Sequence, residues 1–165
     1  MQKEFSMQLL DAIRTDALDV LASHIQLDPS WLEYEDEQGA NLLSIALKER
    51  ASNEVLHQLI ALGLDVQHYD DEGVSVLEYA ITYGNTQFAQ FLIDTYVINP
   101  SVTMRRSGFT PLMAAVCYNH TELVEHFVSL GVNMQARDQS GFSAADYARR
   151  MHKKRIAKLL DPKGE

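Results

Sequence analysis

The chain has 165 residues, 46% of them apolar and 22% charged, with a formal net charge of −9 and a single cysteine, Cys117. It is long enough to bury about two thirds of its unfolded surface and too apolar for a disordered chain. One cysteine excludes an internal disulfide and a multi-cysteine zinc site. The opening residues lack the basic flank and apolar run of a secretory signal, and no stretch approaches about 18 apolar residues, so a soluble, cytoplasmic protein without a membrane role is expected. Seven of the 14 basic residues fall in 149–165 against Asp161 and Glu165, leaving −14 on the remainder. An acidic body argues against nucleic acid as a partner, and the basic end reads as cations favouring the C-terminus of a last helix.

Taken in chain order, residues 4–35 open with Leu9, Leu10, Ala12 and Ile13 at helical spacing, then Val20, Leu21 and Ile25 in a second helix. Asp28-Pro29-Ser30 turns into Trp31-Leu32. Four glycines then recur, Gly39, Gly73, Gly108 and Gly141, at spacings of 34, 35 and 33 residues. Asn41, Ser75, Thr110 and Ser143 each stand two places after their glycine, where a side-chain oxygen caps a helix. Pro111 suits a first helical position. Ala46, Ala80, Ala115 and Ala148 stand seven places after their glycine, small enough for close helix packing.

A second helix follows in each unit, carried by Val55, Leu56, Leu59 and Ile60; Phe88, Leu92 and Ile93; Leu123, Val124, Phe127 and Val128; and Ile156, Leu159 and Leu160. Gly63 and Gly131 are expected to stop their helices in the left-handed conformation. Polar stretches at 66–71 and 132–138 lead to the next glycine as projecting turns. The uneven spacing places one extra residue near 51–53 and an enlarged loop around 96–104.

A period near 33 residues marks a stack of helical units. The pattern resembles the ankyrin repeat, which runs Asp-x-x-Gly-x-Thr-Pro-Leu-His-x-Ala, then Gly-His, paired aliphatics and a closing Gly-Ala-Asp. Gly108, Thr110, Pro111, Leu112, Ala115, His120, Leu123, Val124 and Gly131-Val132-Asn133 carry it best. The other units depart from it: Thr-Pro-Leu occurs once, the following His nowhere, and Arg105 stands in place of the usual Asp. The resemblance implies an all-α solenoid of about five helix-turn-helix units filling one domain, 1–165. Its expected divisions are 4–35 as an N-terminal cap, 36–69, 70–104, 105–137, and 138–162 as a C-terminal cap.

No phosphate loop, dinucleotide fingerprint or zinc-protease motif is present, so no catalytic residue and no enzyme activity is expected. Cys117 and His120 have Cys-x-x-His spacing, but His120 falls at the Gly-His turn position, which favours a structural role. Glu33-Tyr34-Glu35-Asp36-Glu37 lacks the alternating ligands of a calcium loop and reads as a solvated turn. His24 lies among apolar residues, and His57, His68, His126 and His152 lack ligand-spaced neighbours. No metal or cofactor site is therefore expected. The alternative function is an accessory protein that delivers haem or a metal through ligands gathered across repeats.

The leading expectation is a monomeric, non-enzymatic module that binds a protein partner as an adaptor, inhibitor or accessory subunit. By resemblance, turn tips and the outward side of the first helices form its concave binding face. The offsets give Ala40, Val74, Phe109 and Phe142 one place after the glycine, and Glu35, Tyr69, Met104 and Arg137 four before it. Ten places after stand Glu49, Tyr83, Tyr118 and Met151, beside Lys48, Thr82, Cys117 and Arg150. Candidate contacts are Tyr69, Asp71, Glu72, Val74, Tyr83, Met104, Arg106, Phe109, Tyr118, Arg137, Phe142 and Met151. Tyr83, Tyr118 and Met151 form a stripe rich in contact area, and acids toward the N-terminal half face Arg105, Arg106 and Arg137 toward the other. Two readings fit the tyrosines: contact surface, or rings packed between adjacent units with only the hydroxyl in water. Phe109 and Phe142 likewise suit bracing of neighbouring turns.

Overall fold

A computed structural model describes residues 6–164; residues 4 and 5 of the first expected unit, and Glu165 of the basic end, lie outside them. Ten α-helices occur among the described residues, and Glu35 and Asn41 form an isolated antiparallel bridge. The fold class is all-α. The chain forms two compact units, one ending at Asp71 and one beginning at Glu72.

The first unit holds α1 (Met7–Arg14), α2 (Leu18–Leu27), a 3-10 turn (Pro29–Glu33), α3 (Leu42–Lys48) and α4 (Asn53–Ala61). Ser6 caps α1 by accepting from the Leu9 N–H, and Leu9, Ala12 and Ile13 are buried. Leu21 and Ile25 bury the inner face of α2, whereas Val20, expected in that face, is half exposed. The reason is angular: with Leu21 and Ile25 on one helical stripe, Val20 falls about 100° away from Leu21. Asp28 accepts from the Ser30 N–H at 3.2 Å, starting the 3-10 turn that buries Trp31.

The second unit holds α5 (Val76–Thr82), α6 (Thr86–Tyr96), α7 (Pro111–Cys117), α8 (Thr121–Ser129), α9 (Ala144–Arg150) and α10 (Lys154–Leu160). α5 packs on α7 and α7 on α9, while α8 packs on α10. The first helix of each pair begins where the sequence puts a capping oxygen. Asn41, Ser75, Thr110 and Ser143 all have extended backbone and accept from the N–H three residues on. Glu78 and Asp146 complete reciprocal capping boxes with Ser75 and Ser143. Six of the seven residues in each of α3, α5 and α7 are buried, so these helices have packing partners nearly all round. Ala46, Ala80, Ala115 and Ala148 are fully buried, as their small size requires.

The second helices are amphipathic, and two of them are joined to the preceding helix pair by side chains. Nε2–H of His120 donates to the Ile81 carbonyl at 2.8 Å, and the Lys153 ammonium donates to the Val116 and Cys117 carbonyls at 2.6 and 3.0 Å. Each places a donor on the last carbonyls of a first helix, where the helix dipole is negative. His120 is thus a structural turn residue.

The irregular glycine spacing has two sources. The turn between α3 and α4 uses residues 49–52, one more than 83–85, 118–120 and 151–153, which matches the expected insertion. The second irregularity is not an enlarged loop. α6 has 11 residues where α4 and α8 have nine, and the same stretch of 14 residues follows each of these helices. Helix α6 lacks the stopping glycine of its neighbours, so it runs a half-turn further and ends at Val97 in the left-handed region (φ 54°).

Two glycines test what the repeat requires. Gly73 has φ 78°, and a Cβ there would land on the carbonyl of Met104 in the next hairpin. Gly141 has φ 82° with nothing within 4 Å of that position. Gly141→Ala therefore carries only the left-handed backbone cost, about 1–2 kcal/mol. Gly73→Ala adds a steric clash with backbone and is expected to exceed that by a further 1–3 kcal/mol. Urea denaturation of the two variants reads the difference, and equal losses would remove the close approach as a determinant.

Candidate protein-interaction site

The hairpins set the geometry of the candidate face. In Asp36 one carboxylate oxygen accepts from the Gln38 and Ala40 N–H groups, both at 2.9 Å, and the other pairs with Lys48 at 3.2 Å. Asp138 repeats this, accepting from Ser140 and Phe142 at 2.9 Å each, with its second oxygen taking the Tyr147 hydroxyl. Where Arg105 stands in place of that Asp, the turn is held differently. Thr103 donates to the Phe109 carbonyl at 2.8 Å and accepts from the Arg105 N–H at 3.1 Å, while Ser107 accepts from the Phe109 N–H.

Freed from the turn, the Arg105 guanidinium lies 3.5 Å from Oε1 of Glu78 in the preceding helix pair and 5.1 Å over the Phe109 ring. The Glu78 carboxylate is buried; Oε2 accepts from the Ser75 N–H and hydroxyl, and Oε1 has no hydrogen bond. Burial pushes its pKa up, and the Ser75 bonds and Arg105 charge only partly oppose this.

The aromatic side chains around these turns divide by exposure. Phe109 meets Tyr147 edge-on at 5.6 Å, and Phe142 packs against Tyr147 at 5.8 Å beneath the Arg150 guanidinium at 4.4 Å. Both phenylalanines are half-buried, as is Val74. Tyr83 is half-buried and stacks on Tyr79 at 6.2 Å. Tyr118 is 50% exposed, lying flat on His120, and Met151 and Met104 are 44% and 60% exposed. Arg106 and Arg137 are exposed, Arg137 paired with Asp146 at 3.0 Å; Glu72 is exposed. In the first unit Tyr69 and Asp71 are exposed, but Ala40, aligned with the phenylalanines by offset, is fully buried.

Within the second unit a groove of about 510 Å³ gathers ten of these side chains, running from Thr82 and Arg105 past Phe109, Cys117 and Tyr118 to Asp138 and Tyr147. Tyr83 and Met151 are not in its lining, so the stripe drawn from repeat offsets is only partly one groove. Sequence reasoning did not single out Asp138, Gln139, Ser140 or Tyr147 as binding residues. The Asp138 to Tyr147 spacing carried no motif, and only the fold brings the ring between Phe109 and Phe142. Burial pushes the Cys117 thiol up, away from nucleophile chemistry.

Other candidate ligands are occupied. Nε2 of His68 bonds the Gly39 carbonyl at 2.6 Å, and His126 meets Asp94 at 3.1 Å. Half-buried His24 packs against Trp31. No cluster of three or more His, Cys, Asp or Glu side chains suited to a metal ion occurs among the described residues. No helix among them is long and apolar enough to cross a membrane.

Stacked helix pairs joined by projecting turns, with the turn glycines in register, define a helical repeat protein. Residues 107–139 match the family model of the ankyrin repeat. Over 129 residues, 74% of its length, the chain is 27% identical to a putative ankyrin repeat protein, L371, of Acanthamoeba polyphaga mimivirus, and that segment is 17% of the relative. Residues 107–139 thus carry an ankyrin repeat, and most of the chain is similar to an ankyrin repeat protein.

The Asp138–Tyr147 contact has a pH signature. The hydrogen bond lowers the Asp138 pKa and raises that of Tyr147 to about 12. A phenol whose pKa is raised on folding stabilises the fold below its unfolded pKa near 10, and that contribution is lost as pH rises through the folded value. The depressed Asp138 contributes above its unfolded pKa near 4 and loses it on acidification. The stability gap between wild type and Tyr147→Phe should hold from pH 6 to 9 and narrow toward pH 12 and in strong acid. A gap in melting temperature that stays flat across pH 6–12 would deny the bond its energetic role.

Proposed function

We infer that this protein is a non-enzymatic interaction module whose second unit docks a protein partner on the face made by its hairpin tips and first helices. Ankyrin repeats generally mediate protein–protein interaction, and proteins of this family are typically not enzymes. The observation that carries the reading is the groove beside Tyr118, whose ring is half exposed over a floor already ordered by Phe109 and Tyr147. A tyrosine held flat on His120 offers contact area with few torsions left to freeze.

On this reading the five-unit division (4–35, 36–69, 70–104, 105–137, 138–162) describes one binding scaffold acting as an adaptor, inhibitor or accessory subunit. Tyr118, Met151, Met104 and Arg106 supply contacts from the exposed set. Phe109, Phe142 and Tyr83 shape the floor. Glu72 and Arg137 add polar contacts at the tips of this unit.

The test compares proteins captured from the cell of origin by wild type and by Tyr83→Ala/Tyr118→Ala. Partners held by the wild type should be lost with the double variant, while helical circular dichroism and melting cooperativity persist. Unfolding of the variant would show the rings to be core. Leu112→Ala serves as contrast: Leu112 is buried, and its truncation should cost about 2–5 kcal/mol of stability.

A further inference from the structure

We propose that the groove of the second unit reads a carboxylate on an extended acidic segment of the partner, with Arg105 as the specificity-determining residue and Glu78 as its positioning residue. The proposal rests on the docking role of this groove and adds the chemistry of what docks there.

The groove has a surplus of donors. The Arg105 guanidinium, the Thr82, Tyr118 and Ser140 hydroxyls and the Gln139 amide all line it. The hydroxyls and the amide form no side-chain hydrogen bond among the described residues, and the Arg105 guanidinium meets Oε1 of Glu78 at 3.5 Å through one of its N–H groups. A guanidinium is a multiple donor with no acceptor role, so its one contact with Glu78 leaves N–H groups for an incoming acceptor. Asp138, the acid in the lining, already has both oxygens engaged by the Ser140 and Phe142 N–H groups and the Tyr147 hydroxyl.

Arg105 is also preorganised. Phe109 covers one face of its guanidinium, and the buried Glu78 carboxylate fixes its position through charge at 3.5 Å, beyond a good hydrogen bond. Its N–H fork therefore remains available to a planar carboxylate. Charge favours the same occupant. Residues 1–71 hold 14 acidic against four basic side chains, but residues 72–165 hold nine against ten. Within the second unit, exposed Arg106 and Arg150 form no ion pair with a carboxylate among the described residues. The acids beside the groove, Glu78 and Asp138, disfavour a doubly charged group, which selects a carboxylate over a phosphate.

Random nonapeptides are selected on the immobilised full chain. The enriched sequences are then synthesised with Glu, Gln or phosphoserine at any fixed acidic position, and their Kd values measured by anisotropy. The expected result is one fixed Glu or Asp, with about tenfold weaker binding for Gln. Arg105→Lys keeps a positive charge opposite Glu78 but loses the fork, and should bind the Glu and Gln peptides equally. If Arg105→Lys unfolds, Glu78→Gln/Arg105→Gln removes both charges and should show the same loss of discrimination. Peptides without a fixed acid that still need Tyr118 would overturn the acid-reading role and leave the docking role standing. Tighter binding of phosphoserine than Glu would overturn the choice of carboxylate. No enrichment on the wild type would remove the docking role, and this proposal with it.

Discussion

At two of the recurring glycines, Gly39 and Gly73, the backbone passes so close to the next hairpin that it has no room for a side chain. At Gly39 a Cβ would sit 2.7 Å from the Asp71 carboxylate, and at Gly73 it would meet the Met104 carbonyl. The glycine also supplies the left-handed turn that aims the following residues into a helix. Two residues on, the capping oxygen fixes where that helix begins, and five further on an alanine lets the helix pack closely. Turn, cap and packing residue are thus rigidly phased, and the buried first helices follow from that phase.

Arg105 shows how the scaffold tolerates a change at one of its recurring positions. Asp36 and Asp138 tie their turns with carboxylate-to-backbone bonds, a task that arginine cannot perform because it carries no acceptor. Thr103 and Ser107 take it over, one on each side of the tip. The cation is then left to compensate Glu78, a carboxylate that would otherwise be a buried, unpaired charge. A local substitution at a turn thus becomes a link between helix pairs, and the link places a charged group at the edge of a groove.

Most of the fold was legible because its determinants are local. Caps, stopping glycines and helical stripes act within a few residues, so their spacing survives in sequence. Val20 and the enlarged loop were misread for physical reasons. An apolar residue next to a buried stripe looks inward on composition alone, and two extra residues go to a helix when no glycine halts it. The site was less legible. Offset points Tyr118 and Met151 outward, and both are well exposed. Offset alone could not show that Tyr83 lies against Tyr79, or that Ala40 is buried while Phe109 and Phe142 are not. Glu78 with Arg105 and Asp138 with Tyr147 join residues far apart in the helical register, and neither pair forms a motif.

Order in the groove is built into the fold. Tyr147 is held by its hydroxyl on Asp138 and by its ring between Phe109 and Phe142, so the floor loses little rotamer freedom on binding. Tyr118 in the same groove keeps its hydroxyl free, and Arg105 keeps donors beyond the one that faces Glu78. Affinity in such a site comes from the covered rings, whereas discrimination comes from the polar groups that a wrong ligand would leave unsatisfied. That division explains why the phenylalanines, though aligned with the binding columns, serve best where they are half-buried. They hold rigid the surface beside a more exposed tyrosine and an arginine.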